Sequence, residues 1–366
     1  MLNGTHKKKL RKLLEDLVNI RSDKKNTAMA AFLKKALGEN GWKNIKDSGG
    51  NVWGRIGSGK IKLLYDIHSD TITARNTGWN TDPFRAEFKD GHLYGRGAVD
   101  DKGPLAAAIF SGNFLKNLAG CCVYLLASDR EEIDEGYGCR TFLRQEKIKP
   151  DFVIISEPSD LRLIFGQRGR VEITLTAPGV PAHGSMPEKG KNAILLMNTA
   201  LASLAKLRFK KIHPFTATTV TPTVIKSEGE GNNVLPLSCS VLLDIRLNHK
   251  ESVASLIKIL KKNIPREIDI KAKNFCPAWL LKNKSFSLAA RKTFAEAYGK
   301  APTPAYWKFC TNGSEYASNG IPVIGFGPGK PELCHKKNEN IKLADVEQAV
   351  DFFKVLPRQI TGFVKC

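Results

Sequence analysis

Leu10, Leu13, Leu14, Leu17 and Val18 recur at helical spacing and predict an amphipathic helix near the N-terminus. Met29, Phe32, Leu33, Ala36 and Leu37 predict a second helix, with Gly38 as its end signal. The period then shortens. Residues 51–56 and 61–67 read as strands, and 122–127 and 152–156 are short, nearly continuous apolar runs. Such runs suit strands buried on both faces of a sheet. Residues 104–118 are helical and follow the Gly103 turn directly, with Pro104 in the first turn where its missing N–H is harmless. Strands alternating with helices define an α/β domain.

The pattern changes after Gly169. Residues 171–177, 217–225, 241–246 and 268–273 alternate apolar and polar, while 192–207 and 252–260 are helical. This predicts a compact α+β block of antiparallel strands and two helices. A helix at 286–298, a buried strand at 322–326 and a closing helix at 345–356 then restore the first style. The simplest organisation is one domain inserted in another: 1–168 with 284–366 as the first domain, and 169–283 as the insert. The chain has no internal repeat and no low-complexity linker.

Composition changes this picture little. The chain has 366 residues, 42% hydrophobic and 25% charged, an ordinary globular balance. No apolar run approaches the roughly 18–20 residues that span a bilayer. The basic N-terminus lacks an apolar signal-peptide core, and Glu15 and Asp16 interrupt a transit-peptide pattern, so a cytoplasmic location is expected. Cys121, Cys122, Cys139, Cys239, Cys276, Cys310, Cys334 and Cys366 show no C-x-x-C spacing and read as reduced thiols. The net charge of +21, from 57 basic and 36 acidic residues, is spread along the chain with small clusters such as Lys7, Lys8 and Lys9. Zinc-finger and basic-region patterns are absent, so neither nucleic acid nor a membrane is expected as a partner. A solvated lysine-rich surface accounts for the charge, and it would also suit an acidic macromolecule.

The chemistry-bearing residues cluster by position. His68 and Asp70 follow the strand at 61–67. Asp100 follows Gly95-Arg96-Gly97. Glu131 and Glu132 follow the strand at 122–127, Glu157 follows 152–156, and His335 follows 322–326 and the turn Gly327-Pro328-Gly329. In open α/β sheets, sites assemble outside the carboxyl ends of strands. Histidine nitrogens and carboxylate oxygens held there are the donors of a divalent-metal site. Asp70 is placed to hydrogen-bond a ligating imidazole. An adjacent glutamate pair offers one metal ligand and one general base. Other motifs fail: GFGPGK at 325–330 lacks the P-loop pattern, and no G-x-S-x-G elbow or cysteine-protease signature occurs.

The ordered set HSDT at 68–71, DPF, KDG, YGRGAVDDKG at 94–103, Glu131–Glu132, SEP at 156–158, GQRGR at 166–170, AHGS at 182–185 and GFGPGK…H…NE at 325–339 resembles one family. It is the dinuclear zinc amidohydrolase and exopeptidase family of acetylornithine deacetylase, succinyl-diaminopimelate desuccinylase, aminoacylase and carboxypeptidase G. The resemblance implies a mixed-sheet, zinc-exopeptidase-like α/β catalytic domain with an inserted α+β lid and dimerisation domain. It implies two Zn2+ per subunit, with Co2+ or Mn2+ as alternatives: Asp100 bridges them, His68 and Glu157 hold one, and Glu132 and His335 hold the other. Asp70 would orient His68, Glu131 would serve as base and then acid, and His183 would stabilise the oxyanion. Asn233, Arg246 and Thr311 match substrate-contacting positions. A cis peptide after Asp100 and a homodimer are further implications. The implied activity is hydrolysis of the amide bond of an N-acyl amino acid in amino-acid metabolism. Alternatives are a metallo-exopeptidase, including one releasing lysine or ornithine from an acidic carrier protein, and a non-catalytic metal-binding scaffold. Two positions depart from the family pattern, Ile67 before the histidine and Thr73 where a proline is common.

Overall fold

In a computed structural model, which describes residues 2–24, 27–74 and 78–363, the chain divides into two compact units. The first runs up to Gly166 and includes Leu280–Trp307 and the residues from Thr311 onward; the second is Gln167–Trp279 with Lys308–Cys310.

The first unit is built on a mixed sheet. Its order is Lys43–Ser48, Asn51–His68, Phe152–Ile155, Val323–Gly325, Ile164–Gln167, and Ala119–Ser128 pairs with the long second strand. That strand replaces the two expected at 51–56 and 61–67. Val52 faces Ala127 and Ile56 faces Val123, and then Leu63 faces Val123 and His68 faces Ser128. The chain therefore crosses the start of Ala119–Ser128 and flanks it on both sides. The crossing requires glycine, because a Cβ on Gly59 would lie 2.2 Å from the carbonyl carbon of Gly120. Leu63, Tyr65, Ile67, Val123 and Leu125 share one core with the helices Gly4–Asn19, Gly103–Ser111 and Leu343–Phe363. Phe326 stacks on Phe352 at 3.9 Å, which ties the strand before His335 to the closing helix.

Several expected boundaries move. The helix expected at 104–118 ends at Ser111 and tightens into a 3-10 turn at Gly112–Phe114, where only glycine fits: a Cβ on Gly112 would sit 2.5 Å from the Asn40 carbonyl oxygen and the Trp42 indole nitrogen. The closing helix passes through Pro357 and ends at Phe363. The strand Lys43–Ser48, the helix Tyr137–Gln145 and the strand Ile164–Gln167 had no sequence signal strong enough to name them. Seven cysteines carry free thiols; Cys366 lies outside the described residues. Among the described residues no helix is long and apolar enough to cross a membrane.

The second unit is a four-stranded antiparallel sheet in the order Asp269–Cys276, Gly169–Pro178, Ser238–Leu247, Thr219–Glu228. Its two central strands alternate buried and half-buried positions, as period-two patterning requires. Val171, Ile173, Val241 and Leu243 pack against Met197 and Ala200 of the helix Ala193–Leu204 and Leu256 and Leu260 of the helix Val253–Asn263. The edge strand Thr219–Glu228 is exposed along nearly its whole length.

Candidate metal centre

Parallel strands deliver the site. His68 is the last residue of its strand, and Ser128 and Ile155 end the two beside it, just before Glu131 and Glu157. Asp100 arrives on a buried irregular turn, and the peptide between Asp100 and Asp101 is cis. His335 arrives after the strand Val323–Gly325, in a left-handed backbone conformation with φ of 62°.

These side chains converge. Asp100 turns one carboxylate oxygen to each imidazole: Oδ1 lies 2.9 Å from His68 Nε2, and Oδ2 lies 3.2 Å from His335 Nε2. His68 Nε2 is also 3.9 Å from Glu157 Oε1, and His335 Nε2 is 3.0 Å from Glu132 Oε1. The far side of His68 is fixed by the Asp70 backbone, whose carbonyl oxygen lies 2.9 Å from Nδ1. The Asp70 carboxylate stands slightly further off, at 3.5 Å. It mainly serves the glutamate pair, accepting the backbone N–H of Glu131 and of Glu132 at 3.2 Å each.

Two residues of this centre carried no role in the sequence reading. Asp101 is fully buried, and a carboxylate oxygen of it joins His68 and Glu157 in one group of potential ligand atoms within 4.8 Å of one another. Its signal was the second acid of the Asp-Asp pair. Glu339 is also fully buried; Oε1 accepts the N–H of Val99 at 2.9 Å and of Asp100 at 3.1 Å, and Oε2 accepts from Arg96 at 2.6 Å. Its signal was the NE pair four residues beyond His335.

The electrostatics follow from burial and crowding. Burial, reinforced by Glu157, pushes the Glu131 carboxyl well above the usual carboxylate range. Burial and Asp101 do the same to Glu157. Burial opposes charge on His68, yet its hydrogen bonds to Asp100 and Asp70 hold the imidazole well above its ordinary value. Hydrogen bonds to Asp100 and Glu132 raise His335 to about 10. Burial raises the Glu339 carboxyl to about 7, with Asp100 adding to it and Arg96 opposing.

The donor set fits divalent cations. Among the described residues, no lysine or arginine pairs with Asp100, Asp101, Glu131, Glu132 or Glu157. Buried carboxylates need a compensating charge. Here only the two imidazoles face them, and both are neutral-form metal ligands by chemistry. His68, Asp100 and Glu132 form a second group of ligand atoms within 4.8 Å.

The remaining candidates lie elsewhere. In the second unit, exposed His183 is beside Asn233, whose Nδ2 is 3.3 Å from His183 Nε2. The Ser185 backbone N–H donates to His183 Nδ1 at 3.2 Å. Arg246 lies on the strand Ser238–Leu247 and gives its guanidinium to Asp244, at 2.7 and 3.0 Å. In the first unit, the buried Thr311 hydroxyl accepts the Gly313 N–H at 3.1 Å.

A strand-end cluster of imidazoles and carboxylates with a held glutamate pair defines a metal-dependent hydrolase. Residues 64–359 match the model of Peptidase family M20/M25/M40, and the chain belongs to that family, whose members are metallohydrolases of amide bonds. The uncharacterised protein YgeY of Escherichia coli strain K12 is 30% identical over 374 residues, covering 94% of this chain and 93% of its own. An acetylornithine deacetylase of Buchnera aphidicola is 28% identical over 366 residues, covering 94% and 93%. A solved tripeptidase of Staphylococcus aureus shares the fold, with a TM-score of 0.80 at 19% identity over 96% of this chain and 99% of that one.

Proposed function

We propose that the chain removes the acyl group from an N-acyl amino acid in amino-acid metabolism, with two divalent ions, Zn2+ in the first instance, at the centre around Asp100. The carrying observation is the division of the Asp100 carboxylate, one oxygen toward His68 and one toward His335. In this reading Asp100 would be shared between the two ions, His68 and Glu157 would hold one, and Glu132 and His335 would hold the other. When bound, the ions polarise the scissile carbonyl and acidify the attacking water.

The chain's own residues do the rest. Asp70 fixes the Glu131–Glu132 turn, so Glu132 faces His335 while Glu131 stays available for substrate. Glu131 takes a proton from the attacking water and returns it to the leaving amine. Its raised affinity for a proton, from burial and Glu157, suits that second task. In this reading His183, whose Nδ1 accepts the Ser185 backbone N–H at 3.2 Å, stabilises the oxyanion. The Asn233 amide Nδ2 stands 3.3 Å from His183 Nε2.

The exposed edge strand Thr219–Glu228, with Val224 42% and Ile225 60% exposed, supports a homodimer formed through the second unit. Free thiols at all seven described cysteines support a cytoplasmic location.

The test is E131Q alongside wild type, both loaded with Zn2+, Co2+ or Mn2+. The substrates are N-acetyl and N-succinyl amino acids and short peptides. Glu131→Gln is expected to lower kcat by about 10²–10⁴-fold, the usual share of a general base, at unchanged metal content. Undiminished hydrolysis, or a wild type that retains no metal after reconstitution, overturns the proposal. Cleavage of peptides alone reassigns the chain as an exopeptidase.

A further inference from the structure

The turn that carries Asp100 lacks a regular ladder of its own. Asp100 has φ −124° and ψ 87°, and Asp101 has φ −134° and ψ 22°, outside helical values. Val99 and Asp100 are nevertheless buried. Buried amide groups need partners, and an orphaned one is costly. A single side chain receives both N–H groups, that of Glu339, on Oε1. Its other oxygen holds Arg96, at 2.6 Å, whose guanidinium also lies over the Trp79 ring at 5.2 Å. The Glu339 carbonyl takes the Gly95 N–H at 3.0 Å. Residues 95 to 100 are thus anchored at four points to one glutamate.

We propose that Glu339 is the positioning residue for Asp100, setting the direction in which that carboxylate presents its two oxygens. The inference rests on the dinuclear reading above. Glu339 touches no metal and no substrate in this scheme; it acts through the backbone of Asp100. Its chemistry is specific. A carboxylate can accept two amides on one oxygen and a guanidinium on the other at once. Glutamine would turn an NH2 toward Arg96, and aspartate would be one methylene short of the amides. The segment that carries Glu339 also carries His335, four residues earlier. Glu339 therefore locks Asp100 to the segment that supplies its second imidazole.

The test compares wild type, E339Q and E339D. Each is stripped by a chelator, checked for folding by thermal unfolding without metal, and titrated with Zn2+ against a chromophoric chelator. Co2+ absorption spectra give a second readout. Wild type is expected to take two ions per chain. Each folded variant is expected to lose about 10–100-fold in affinity, the scale of outer-shell partners, at both positions together, because Asp100 faces both. Its Co2+ bands shift. A folded variant with wild-type affinity and spectrum overturns the inference, as does loss at one position only. If one variant fails to fold, the other decides by the same criteria. If wild type itself binds fewer than two ions, the dinuclear reading falls, and this inference with it.

Discussion

Asp70 holds the backbone of Glu131: its Oδ1 accepts the Glu131 N–H at 3.2 Å, and its Oδ2 accepts that of Glu132 at the same distance. One side chain thereby positions the proposed base and a proposed ligand. D70A is expected to lower kcat by about 10–100-fold, the range for an outer-shell partner, with a smaller change in KM. D70N, which keeps one acceptor, should fall between. Steady-state kinetics at matched metal content decides it, and equal kcat in all three proteins would remove Asp70 from the machinery.

Metal removal should destabilise the fold. Asp100, Asp101, Glu131 and Glu157 are buried together, and among the described residues the imidazoles of His68 and His335 are the groups that offset them. An ion bound to the folded chain at a thousand times its Kd contributes about 4 kcal/mol. Chelator-treated protein is expected to unfold at a lower temperature, and Zn2+ to restore it. Identical melting curves with and without chelator would contradict the assignment.

Lys102 makes a pH prediction. It is fully buried, donates to the Ile20 carbonyl at 2.8 Å, and burial lowers its pKa from 10.5 to about 7, although Glu339, Asp23 and Asp70 oppose that shift. Between these two values the unfolded chain binds the extra proton and the folded chain does not. Stability from this group therefore rises with pH across that window, by at most about 1.4 kcal/mol per pH unit. K102M lacks the group, so its stability advantage over wild type should shrink as pH rises from 7 toward 10.5. Parallel denaturation profiles of the two proteins would refute this.

The second unit offers a test of assembly. Ile225 is 60% exposed on the edge strand Thr219–Glu228. A charge on such an edge opposes pairing with another chain. Wild type is expected to run as a dimer in size-exclusion chromatography with light scattering, and I225D as a monomer with unchanged thermal stability. A monomeric wild type would exclude this interface.

The sequence was most legible where periodicity and burial agree. The leucines of Gly4–Asn19 and the apolar runs before Glu131 and Glu157 signal their own elements, because one face or both must leave water. It was least legible where backbone geometry overrides pattern. Nothing in Gly57-Ser58-Gly59 announces that one chain segment wraps the start of another strand; only the close approach to Gly120 explains it. The strand Lys43–Ser48 is polar and largely exposed, and pairing with the long strand makes it a strand. The site divides in the same way. His68, Asp100, Glu132, Glu157 and His335 could be named because each follows a readable strand or turn. Asp101 and Glu339 could not, because their importance comes from what they meet after folding.

The order of the cluster along the chain has a consequence for how the protein is made. His68, Asp100, Glu132 and Glu157 are all synthesised before the second unit, and His335 after it. A growing chain therefore carries four of the five side chains through the synthesis of the entire inserted unit without the imidazole that faces the second oxygen of Asp100. The five side chains are present together only once His335 has been made, after the whole second unit. In the dinuclear reading, acquisition of both ions thus waits for the inserted unit, and products truncated before His335 lack the second imidazole.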